Sequence, residues 1–228
     1  MIQLSAQLKG VPLFSSLSDD QLDTISRTGS TRRYPRGHLV VQQGSPGDTF
    51  YVVVSGCVKV TLLSKDGKEI ILSVLKSSDF FGELSLMDNE PRSANVIVAE
   101  DSTLFLLTQK QFHHLITTYP DILKKVMKEL CTRLRHADEK IGGLAFLDAY
   151  GRTISVVLQL AHERGIKTKN GIEISYAPTH QELSNMVGVS RETITRIIKV
   201  LKANKTLISY RGRKVVLRRY PESMQYEF

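Results

Sequence analysis

The sequence predicts an α+β protein in which a β-roll comes first, one long helix follows, and a winged helix-turn-helix comes last. Three observations lead to this prediction. Residues 36–107 consist of short apolar runs separated by turn residues, which is typical of a small β-roll. Residues 120–147 repeat apolar side chains at heptad spacing with no interior proline. The last third of the chain combines two short amphipathic helices, a glycine turn and a basic hairpin.

Charge divides the chain at similar places. The 228 residues carry a net charge of +8, to which residues 1–118 contribute −1, residues 119–147 contribute +2 and residues 148–228 contribute +7. A basic module attached to a neutral one is typical of a nucleic-acid reader with a sensor, although a solvated basic surface would give the same numbers. We therefore predict a β-roll domain (1–119), a central helix with a hinge (120–147) and a basic C-terminal domain (148–228).

Composition argues against several classes of protein. The chain has no apolar run long enough to span a bilayer and no charged-then-apolar start, so we expect no membrane partner and no secretory signal. Its two cysteines, Cys57 and Cys131, match no disulfide or metal spacing, which favours a cytoplasmic location. Neither a Walker A loop nor a catalytic Ser-His-Asp order is visible, so we expect a binding protein and not an enzyme.

Helix and turn signals define the first domain. Ser18 and Gln21 form a capping box, which predicts a helix after Ser18. Asp66-Gly67 is expected to be a two-residue hairpin turn with positive φ at both positions. The apolar runs predict a roll of about eight short strands, with glycines where a strand must bend. These runs are Leu39–Val41, Phe50–Val54, Val58–Leu63, Ile70–Leu75, Val96–Val98 and Leu104–Leu107.

The central helix is expected to begin at Pro120, because proline suits the first turn of a helix. At ~1.5 Å per residue it would be roughly 40 Å long. Its apolar side chains follow one another at alternating steps of four and three, which predicts packing against the same helix of a second copy. We call this set the heptad stripe; it consists of Leu123, Met127, Leu130, Leu134, Ala137, Ile141 and Leu144.

The C-terminal domain contains the signals of a helix-turn-helix. Thr179 and Glu182 form a second capping box, Gly188 can end that helix, and Ser190 can cap the next one. The helix after Ser190 is predicted to bury four apolar residues, namely Ile194, Ile197, Ile198 and Leu201. A basic hairpin around residues 211–214 would add a wing.

Residues 81–94 contain the sharpest chemical signal of the first domain. Gly82 opens a short helix, where backbone N–H groups can approach an anion. Arg92 can hold a phosphate through two donors, and Ser93 adds a hydroxyl. Glu83 suits a ribose hydroxyl as an acceptor. The pattern indicates a pocket for a sugar phosphate, with an ordinary Arg-Glu pair on a strand-turn-strand surface as the alternative.

This stretch resembles the phosphate-binding cassette of cyclic-nucleotide domains, and residues 14–217 are similar to the cyclic AMP receptor protein/FNR (Crp-Fnr) family of transcriptional regulators. The similarity includes GDTFY at 47–51, GGLAFLD at 142–148 and GVSRETITR at 188–196. It implies a homodimer gated by a cyclic nucleotide, with cyclic AMP as the first choice, and RNA polymerase as a further partner. The N-terminal cysteine cluster of the iron–sulfur members is missing, so we expect no metal, haem or iron–sulfur cofactor.

The resemblance also assigns residues to the effector, and two of them depart from the family. In the cyclic AMP receptor protein, adjacent Thr and Ser contact adenine across the dimer, whereas Ala137 and Asp138 stand here. A carboxylate accepts hydrogen bonds only and fits the paired donors of guanine better, so cyclic GMP and cyclic di-GMP stay open, as does a solvent-facing Asp138. The implied effector residues are Gly82, Glu83, Leu84, Ser85, Arg92, Ser93, Ala137 and Asp138.

The resemblance also implies that the second helix of the helix-turn-helix recognises a palindromic TGTGA-like site in double-stranded DNA; we call the two helices and the wing together the reader. Arginine pairs with guanine through two acceptors and glutamate accepts from cytosine, which suits Arg191, Glu192 and Arg196. Hydroxyl and amide groups at the helix starts are better placed for phosphates. The residues expected at the DNA are Thr179, Gln181, Ser190, Arg191, Glu192, Thr193 and Arg196.

Two other functions stay open at this point. One is a regulator that acts without a nucleotide, and the intact cassette argues against it. The other is a regulatory subunit that controls an enzyme by protein contact, and the basic reader argues against that. Four histidines lack zinc-like spacing and are expected to be surface or packing residues: His113, His114, His136 and His162.

Overall fold

The computed structural model describes residues 2–175, 177–211 and 213–218. The chain divides into two compact units, Met1–Arg135 and His136–Phe228. Helices and strands occur in both units, which confirms the α+β class. Among the helices of the described residues, none is long and apolar enough to cross a membrane.

The first unit begins with two short helices, α1 (Ile2–Lys9) and α2 (Asp19–Thr28). The predicted capping box at the start of α2 is confirmed. The Ser18 hydroxyl accepts from the Gln21 backbone N–H, and the Gln21 side chain accepts from the Ser18 N–H at 2.9 Å. Two N–H groups that the helix itself cannot satisfy are thereby paired, so α2 begins where the sequence indicates.

Six antiparallel strands form the roll among the described residues. They are β1 (Ser30–Tyr34), β2 (Leu39–Val41), β3 (Thr49–Leu63), β4 (Glu69–Lys76), β5 (Phe80–Phe81) and β6 (Asn95–Thr108). The strand order is β1-β6-β3-β4, with β2 paired to β6 and β5 paired to β3. The prediction of about eight short strands was wrong, because β3 and β6 are each one long strand where the sequence suggested two.

The long strands bend without ending. The register between β3 and β6 shifts at three places from Val53 to Val58. Gly56 lies at this bend with φ of 87°, and a Cβ there would come within 2.4 Å of the Asp101 carbonyl oxygen. A bulge of this kind interrupts the apolar alternation while the strand continues, which explains why the sequence suggested a break.

The connection between β3 and β4 also differs from the prediction. Gly67 has φ of 77°, whereas Asp66 is not among the residues with positive φ. The Gly67 N–H donates to the Ser64 carbonyl at 3.0 Å, and the Ser64 N–H donates to the Lys68 carbonyl at 2.9 Å. The loop therefore has three residues with only the glycine in the left-handed region, and the expected two-residue turn was wrong.

Among the described residues, the first unit also contains α3 (Leu84–Asp88), α4 (Gln109–Thr118) and the first part of α5 (Pro120–Phe146), which continues into the second unit. The start of α5 at Pro120 was predicted correctly. Phe50 and Phe112 stack in the core with their ring centroids 4.5 Å apart. Ile122 and Val126 of α5 are fully buried in the same cluster. The first turns of α5 are therefore part of the core of the first unit.

The heptad stripe of α5 is divided between two environments. Leu130 packs against the core of the first unit, and Leu123 is half-buried. Four members are exposed over more than half of their surface: Met127 (56%), Leu134 (64%), Ile141 (64%) and Leu144 (61%). Such a row of large apolar side chains in water on one helix is typical of a surface that a partner covers.

The second unit contains a bundle of three helices beside a small antiparallel sheet. The elements are α6 (Ala149–Arg164), β7 (Gly165–Thr168), β8 (Gly171–Ser175), α7 (His180–Val187), α8 (Arg191–Ala203), β9 (Leu207–Arg211) and β10 (Lys214–Leu217). The sheet order is β7-β8-β10-β9. The β7–β8 hairpin was not predicted, although Asn170-Gly171 at its turn is a known hairpin signal.

The predicted helix-turn-helix is confirmed. Thr179 and Glu182 form a reciprocal capping box at α7, and Ser190 caps α8 by accepting from the Thr193 N–H. Gly188 ends α7 with φ of 75°, which is the left-handed conformation expected of a glycine there. The four apolar residues predicted for α8 are all buried.

One arginine joins the connection before α6 to the end of the first reader helix. Arg152 on α6 donates through Nη1 to the Leu147 carbonyl at 2.9 Å and through Nε to the Val187 carbonyl at 3.3 Å. Asp148 caps α6 by accepting from the Gly151 N–H at 2.7 Å. The short connection between α5 and α6 and the last turn of α7 are thus held by the same side chain.

Candidate phosphate pocket and nucleic-acid interface

The loop between β5 and α3 requires glycine for two reasons. Gly82 has φ of 85°, in the left-handed region. A Cβ at this position would also lie 2.7 Å from Nη1 of Arg92 and 2.8 Å from the Thr49 carbonyl oxygen. Any side chain would therefore push against the arginine and the neighbouring strand.

Arg92 packs against this loop and is only 6% exposed; we call the surroundings of its guanidinium the pocket. Its Nη1 donates to the Gly82 carbonyl at 2.8 Å, and its Nη2 donates to the Thr49 carbonyl at 2.6 Å. Burial lowers the pKa of Arg92, and nearby Tyr51, Asp48 and Glu83 oppose that shift. Because both hydrogen bonds go to neutral carbonyls, the guanidinium keeps a charge that a phosphate could use.

The loop before β3 closes the pocket from the other side. The Gly44 N–H donates to the Arg92 carbonyl at 2.8 Å, and the Arg92 N–H donates to the Ser45 carbonyl at 2.9 Å. A Cβ at Gly47 would meet both Nε of Arg92 and Cβ of Ser85 at 2.6 Å. The backbone around residue 47 thus lies directly against the arginine.

Glu83 is the second polar group of the pocket and is 2% exposed. Its Oε1 accepts from Nη1 of Arg133 at 3.0 Å, while its Oε2 has no hydrogen-bond partner among the described residues. Burial raises the pKa of Glu83, and Arg133 lowers it. A buried carboxylate oxygen without a donor is costly, so this atom indicates a place where a ligand donor, such as a hydroxyl, would bind.

Arg133 is a residue of this pocket that the sequence analysis missed. Besides Glu83, it bonds the Phe80 carbonyl at 2.7 Å and Oε1 of Glu129 at 3.2 Å, and its guanidinium lies 5.0 Å from the centroid of the Phe80 ring. It stands on α5, 50 residues after Glu83. The only sequence signal was the Glu129–Arg133 spacing of four on a helix, which is common on helix surfaces.

The other predicted effector residues have mixed environments. Ser85 is buried, whereas Leu84 and Ser93 are exposed. Ala137 and Asp138 are both exposed on α5. The helix α3 has only five residues, so the argument from its dipole is weaker than the sequence suggested, and the arginine is the main source of positive charge in the pocket.

The predicted DNA residues lie along the starts of the two reader helices. Arg191, Glu192 and Arg196 are exposed on α8, and Thr193 is half-buried. The hydroxyls of Thr179 and Ser190 accept the capping hydrogen bonds, from the N–H groups of Glu182 and Thr193. Gln181 is exposed and donates to Oδ1 of Asn185 at 2.9 Å. One edge of the reader therefore presents donors and charged groups to the solvent.

The wing is attached firmly to the start of α7. The Tyr210 hydroxyl donates to the Pro178 carbonyl, and the Ala177 N–H donates to the Arg213 carbonyl at 2.9 Å. Nη2 of Arg213 pairs with Oε1 of Glu182 at 3.2 Å. Lys214 pairs in turn with Glu173 at 2.7 Å. Two of the predicted basic residues of the wing are therefore neutralised by acids, Arg211 is exposed, and Gly212 lies outside the described residues.

Within the described ranges, no group of three or more His, Cys, Asp or Glu side chains could hold a metal ion. Cys57 is buried, and Cys131 is exposed on α5.

Two family models match the chain. The cyclic nucleotide-binding domain matches residues 31–119, and the Crp-like helix-turn-helix domain matches residues 151–222. The first match contains the pocket around Arg92, and the second contains both reader helices.

Known proteins match most of the chain's length. The cAMP-activated global transcriptional regulator CRP of Salmonella typhimurium is 38% identical over 187 residues, which are 81% of this chain and 88% of the relative. The CRP-like cAMP-activated regulator of Mycobacterium tuberculosis is 28% identical over 205 residues, 90% of this chain and 91% of the relative. A solved structure, the c-di-GMP responsive global regulator CLP of Xanthomonas campestris, has a TM-score of 0.76 at 28% identity and covers 89% of this chain and 100% of its own.

Proposed function

Because the chain belongs to the Crp-Fnr family of DNA-binding transcriptional regulators, we propose that it acts as a homodimer whose DNA binding is gated by a cyclic nucleotide, cyclic AMP before others. The cyclic nucleotide-binding domain and the helix-turn-helix domain both belong to the chain. The proposal includes homodimerisation, the particular nucleotide, the gating, a cytoplasmic location and RNA polymerase as a partner.

The nucleotide part of the proposal rests on two buried groups of the pocket, a cation that can still bind an anion and a carboxylate oxygen that has no donor. Arg92 supplies a buried cation whose hydrogen bonds go to carbonyl groups, and Glu83 supplies a buried carboxylate oxygen with no donor. A cyclic phosphate would accept from Arg92, and the ribose hydroxyl next to it would donate to Oε2 of Glu83. A single sugar phosphate supplies both groups at neighbouring positions.

The identity of the base depends on a different region. Two relatives are named as cAMP-activated, and the CLP regulator is named as c-di-GMP responsive. Family resemblance assigns Ala137 and Asp138 to the base, and neither offers the hydroxyl donors of the adenine-binding pattern. We keep cyclic AMP as the first ligand and cyclic GMP or cyclic di-GMP as the alternative that Asp138 favours.

Calorimetric titration with cyclic AMP, cyclic GMP and cyclic di-GMP tests this choice. We expect saturable binding of cyclic AMP, and Asp138→Ser should increase the preference for adenine over guanine. Glu139→Gln, which removes the neighbouring exposed carboxylate, is the matched control and should leave the preference unchanged. A wild-type preference for a guanine ligand would favour cyclic GMP or cyclic di-GMP as the effector. If none of the three ligands binds, nucleotide sensing is refuted.

The dimer part of the proposal rests on α5. Its four large exposed stripe residues recur at heptad spacing over more than four turns of helix, which is the pattern of a two-helix interface. A second copy of the same helix presents the same row and would cover it. Sedimentation of the wild type should show a dimer, and Leu134→Glu together with Ile141→Glu should shift it to a monomer with its circular dichroism retained.

The gating part concerns the connection between α5 and α6, which consists of Leu147 and Asp148. A ligand shifts an equilibrium only by its difference in affinity for two states, so the nucleotide must favour the DNA-competent arrangement of the readers. We propose that the readers reorient about this connection until their recognition helices are one DNA turn apart. Gel shifts on a TGTGA palindrome with and without nucleotide test this, and equal binding in both conditions would contradict gating.

Two alternatives make different predictions in the same experiments. A nucleotide-independent regulator would bind the palindrome at full affinity without ligand. A regulatory subunit of an enzyme would bind nucleotide but show no salt-dependent DNA affinity, since that dependence comes from phosphate contacts. The helix-turn-helix and its net positive charge oppose the second alternative.

A further inference from the structure

His180 contacts two other parts of the reader besides its own helix. It is the first residue of α7, directly after the cap at Thr179. Its Nδ1 lies 3.1 Å from Oγ1 of Thr195 on α8, and its ring meets the Tyr210 ring of β9 edge-on at 5.1 Å. One imidazole thus joins the first reader helix, the recognition helix and the wing.

The hydrogen bonds around Thr195 determine where the imidazole carries its proton. The Thr195 hydroxyl donates to the Arg191 carbonyl at 2.9 Å, and a hydroxyl has only one proton to donate. Both hydrogen bonds of Thr195 exist together only when Nδ1 of His180 is the donor. The neutral ring must therefore be the Nδ1–H tautomer, which leaves Nε2 as an unprotonated acceptor.

Nε2 is consequently the site at which a second proton would bind. This atom has no hydrogen-bond partner among the described residues, and the His180 side chain is half-buried. A phosphate offers only acceptors, so it repels a neutral Nε2 and binds a protonated one. The charge state of one ring nitrogen thus decides whether His180 can contact a DNA backbone.

The surroundings keep the ring neutral in the free protein. Burial lowers the pKa of His180, and the positive charges of Lys202 and Arg191 on α8 lower it further. The neighbouring groups provide no compensating negative charge: burial raises the pKa of Tyr210, so its phenol is neutral, and Glu182 of α7 is paired with Arg213. A DNA phosphate at this edge would supply the missing anion.

We propose that His180 is a proton-linked DNA contact, neutral in the free reader and protonated when Nε2 donates to a backbone phosphate beside the start of the recognition helix. The inference rests on DNA binding by the helix-turn-helix domain and does not depend on which nucleotide is the effector. The same ring also positions the recognition helix, because its Nδ1–H bond to Thr195 is present in both charge states.

The sign of the pH dependence follows from the two states. The pKa of His180 is higher in the complex than in the free protein, so DNA affinity is greatest below the free value and falls as pH rises through the value of the complex. Each unit of difference is worth up to about tenfold in affinity per subunit. Because burial and the two cations lower the free pKa from the ordinary value of about 6.5, affinity should still be rising as pH falls through that value.

Proton uptake during DNA binding is the direct test. The full chain is titrated with a duplex, either the TGTGA palindrome or a random sequence, in two buffers of different ionisation enthalpy at constant ionic strength. The wild type should take up protons, and its affinity should rise several-fold from about pH 8 to about pH 6. His180→Gln should abolish both effects, and His180→Arg should bind well at both pH values without proton uptake.

His162→Gln is the matched control, because His162 is an exposed histidine of the same unit at the end of α6. It should keep the wild-type uptake. Uptake that persists in His180→Gln, or a wild-type enthalpy that is the same in both buffers, would overturn the inference. Uptake on DNA binding with no response to any nucleotide would refute gating and still support the role of His180. A purely structural role would lower affinity in His180→Gln equally at all pH values.

Discussion

The reader and the pocket of this regulator differ in how far apart in the sequence their hydrogen-bonded residues lie. In the reader, the hydrogen bonds that cap α7 and α8 span three residues, as between Thr179 and Glu182, although contacts that join its parts are longer, as between His180 and Thr195. In the pocket, Arg92 bonds Thr49 across 43 residues and Arg133 bonds Glu83 across 50. Local bonds survive a change elsewhere in the domain, whereas distant ones require that the whole roll be formed. The pocket should therefore be the more fragile of the two regions.

The largest expected effect on stability is at the Glu83–Arg133 pair. Arg133→Met would leave the Glu83 carboxylate buried without a partner, and we expect a loss of ~3 kcal/mol in the free energy of unfolding of the first unit. Burial already raises the pKa of Glu83, so its charged form opposes folding as pH rises. The loss should thus be greatest at neutral pH and shrink on acidification, as measured by urea unfolding.

Glu129→Gln is the control for that variant. Glu129 pairs with the same arginine, but its side chain is 42% exposed. We expect a change of less than about 1 kcal/mol and no pH dependence of the kind described for Arg133→Met. Equal effects of the two variants would show that the pair with Glu83 has no special weight.

Nucleotide affinity should depend most on Arg92. Arg92→Gln keeps a donor for the Gly82 or Thr49 carbonyl but removes the charge, and a hydrogen bond to a charged group is worth about 1.5–3 kcal/mol. Calorimetry should show a loss of roughly 10- to 100-fold in nucleotide affinity. Binding of random DNA should be unchanged, because it takes place in the reader. A nucleotide affinity equal to that of the wild type would place the phosphate elsewhere.

Base recognition should be lost one position at a time. Arg191→Ala is expected to cost ~1–3 kcal/mol and to relax selectivity at one base pair of the half-site. Lys199→Ala, at another exposed position of α8, should weaken binding of all sequences alike if it reaches a phosphate. Binding measured on duplexes with single substitutions distinguishes the two patterns. A uniform loss for Arg191→Ala would make Arg191 a phosphate contact.

The smallest effect is expected at the turn before β5. Ser78 has φ of 81°, which is unfavourable for a residue with a Cβ. Ser78→Gly should stabilise the first unit by about 0.5–1 kcal/mol, as seen in urea unfolding. Ser73→Gly within β4 is the control and should destabilise it by a similar amount. A stability loss at residue 78 would mean that its hydrogen bond to the Gly10 carbonyl outweighs the strain.

The elements that the sequence predicts well are those defined by neighbours. Four of them depend on residues within one turn of helix: the capping boxes at Ser18 and Thr179, the end of α7 at Gly188 and the start of α5 at Pro120. Short-range patterns of this kind are readable without any knowledge of the tertiary fold.

Two features that the sequence missed depend on contacts that form only in the folded roll. Gly56 bends β3 because it lies against Asp101, and no local pattern shows that the strand continues beyond it. Arg133 looks like one of several charged residues of a surface helix until Glu83 and Phe80 are placed beside it. The cassette itself could be predicted because its residues are close together in the chain. Arg133, which pairs with Glu83 of the cassette, lies 50 residues further on and could not.

The two acceptors of Arg152 have a consequence for how this regulator can change over time. Both are backbone carbonyls, of Leu147 and Val187, and every amino acid supplies the same carbonyl. The side chain at position 147 can therefore be exchanged while the contact is kept, whereas Val187 is also buried in the core of the second unit and must stay apolar. A sensor of different specificity could accordingly be grafted onto this reader at residue 147 without redesigning the junction.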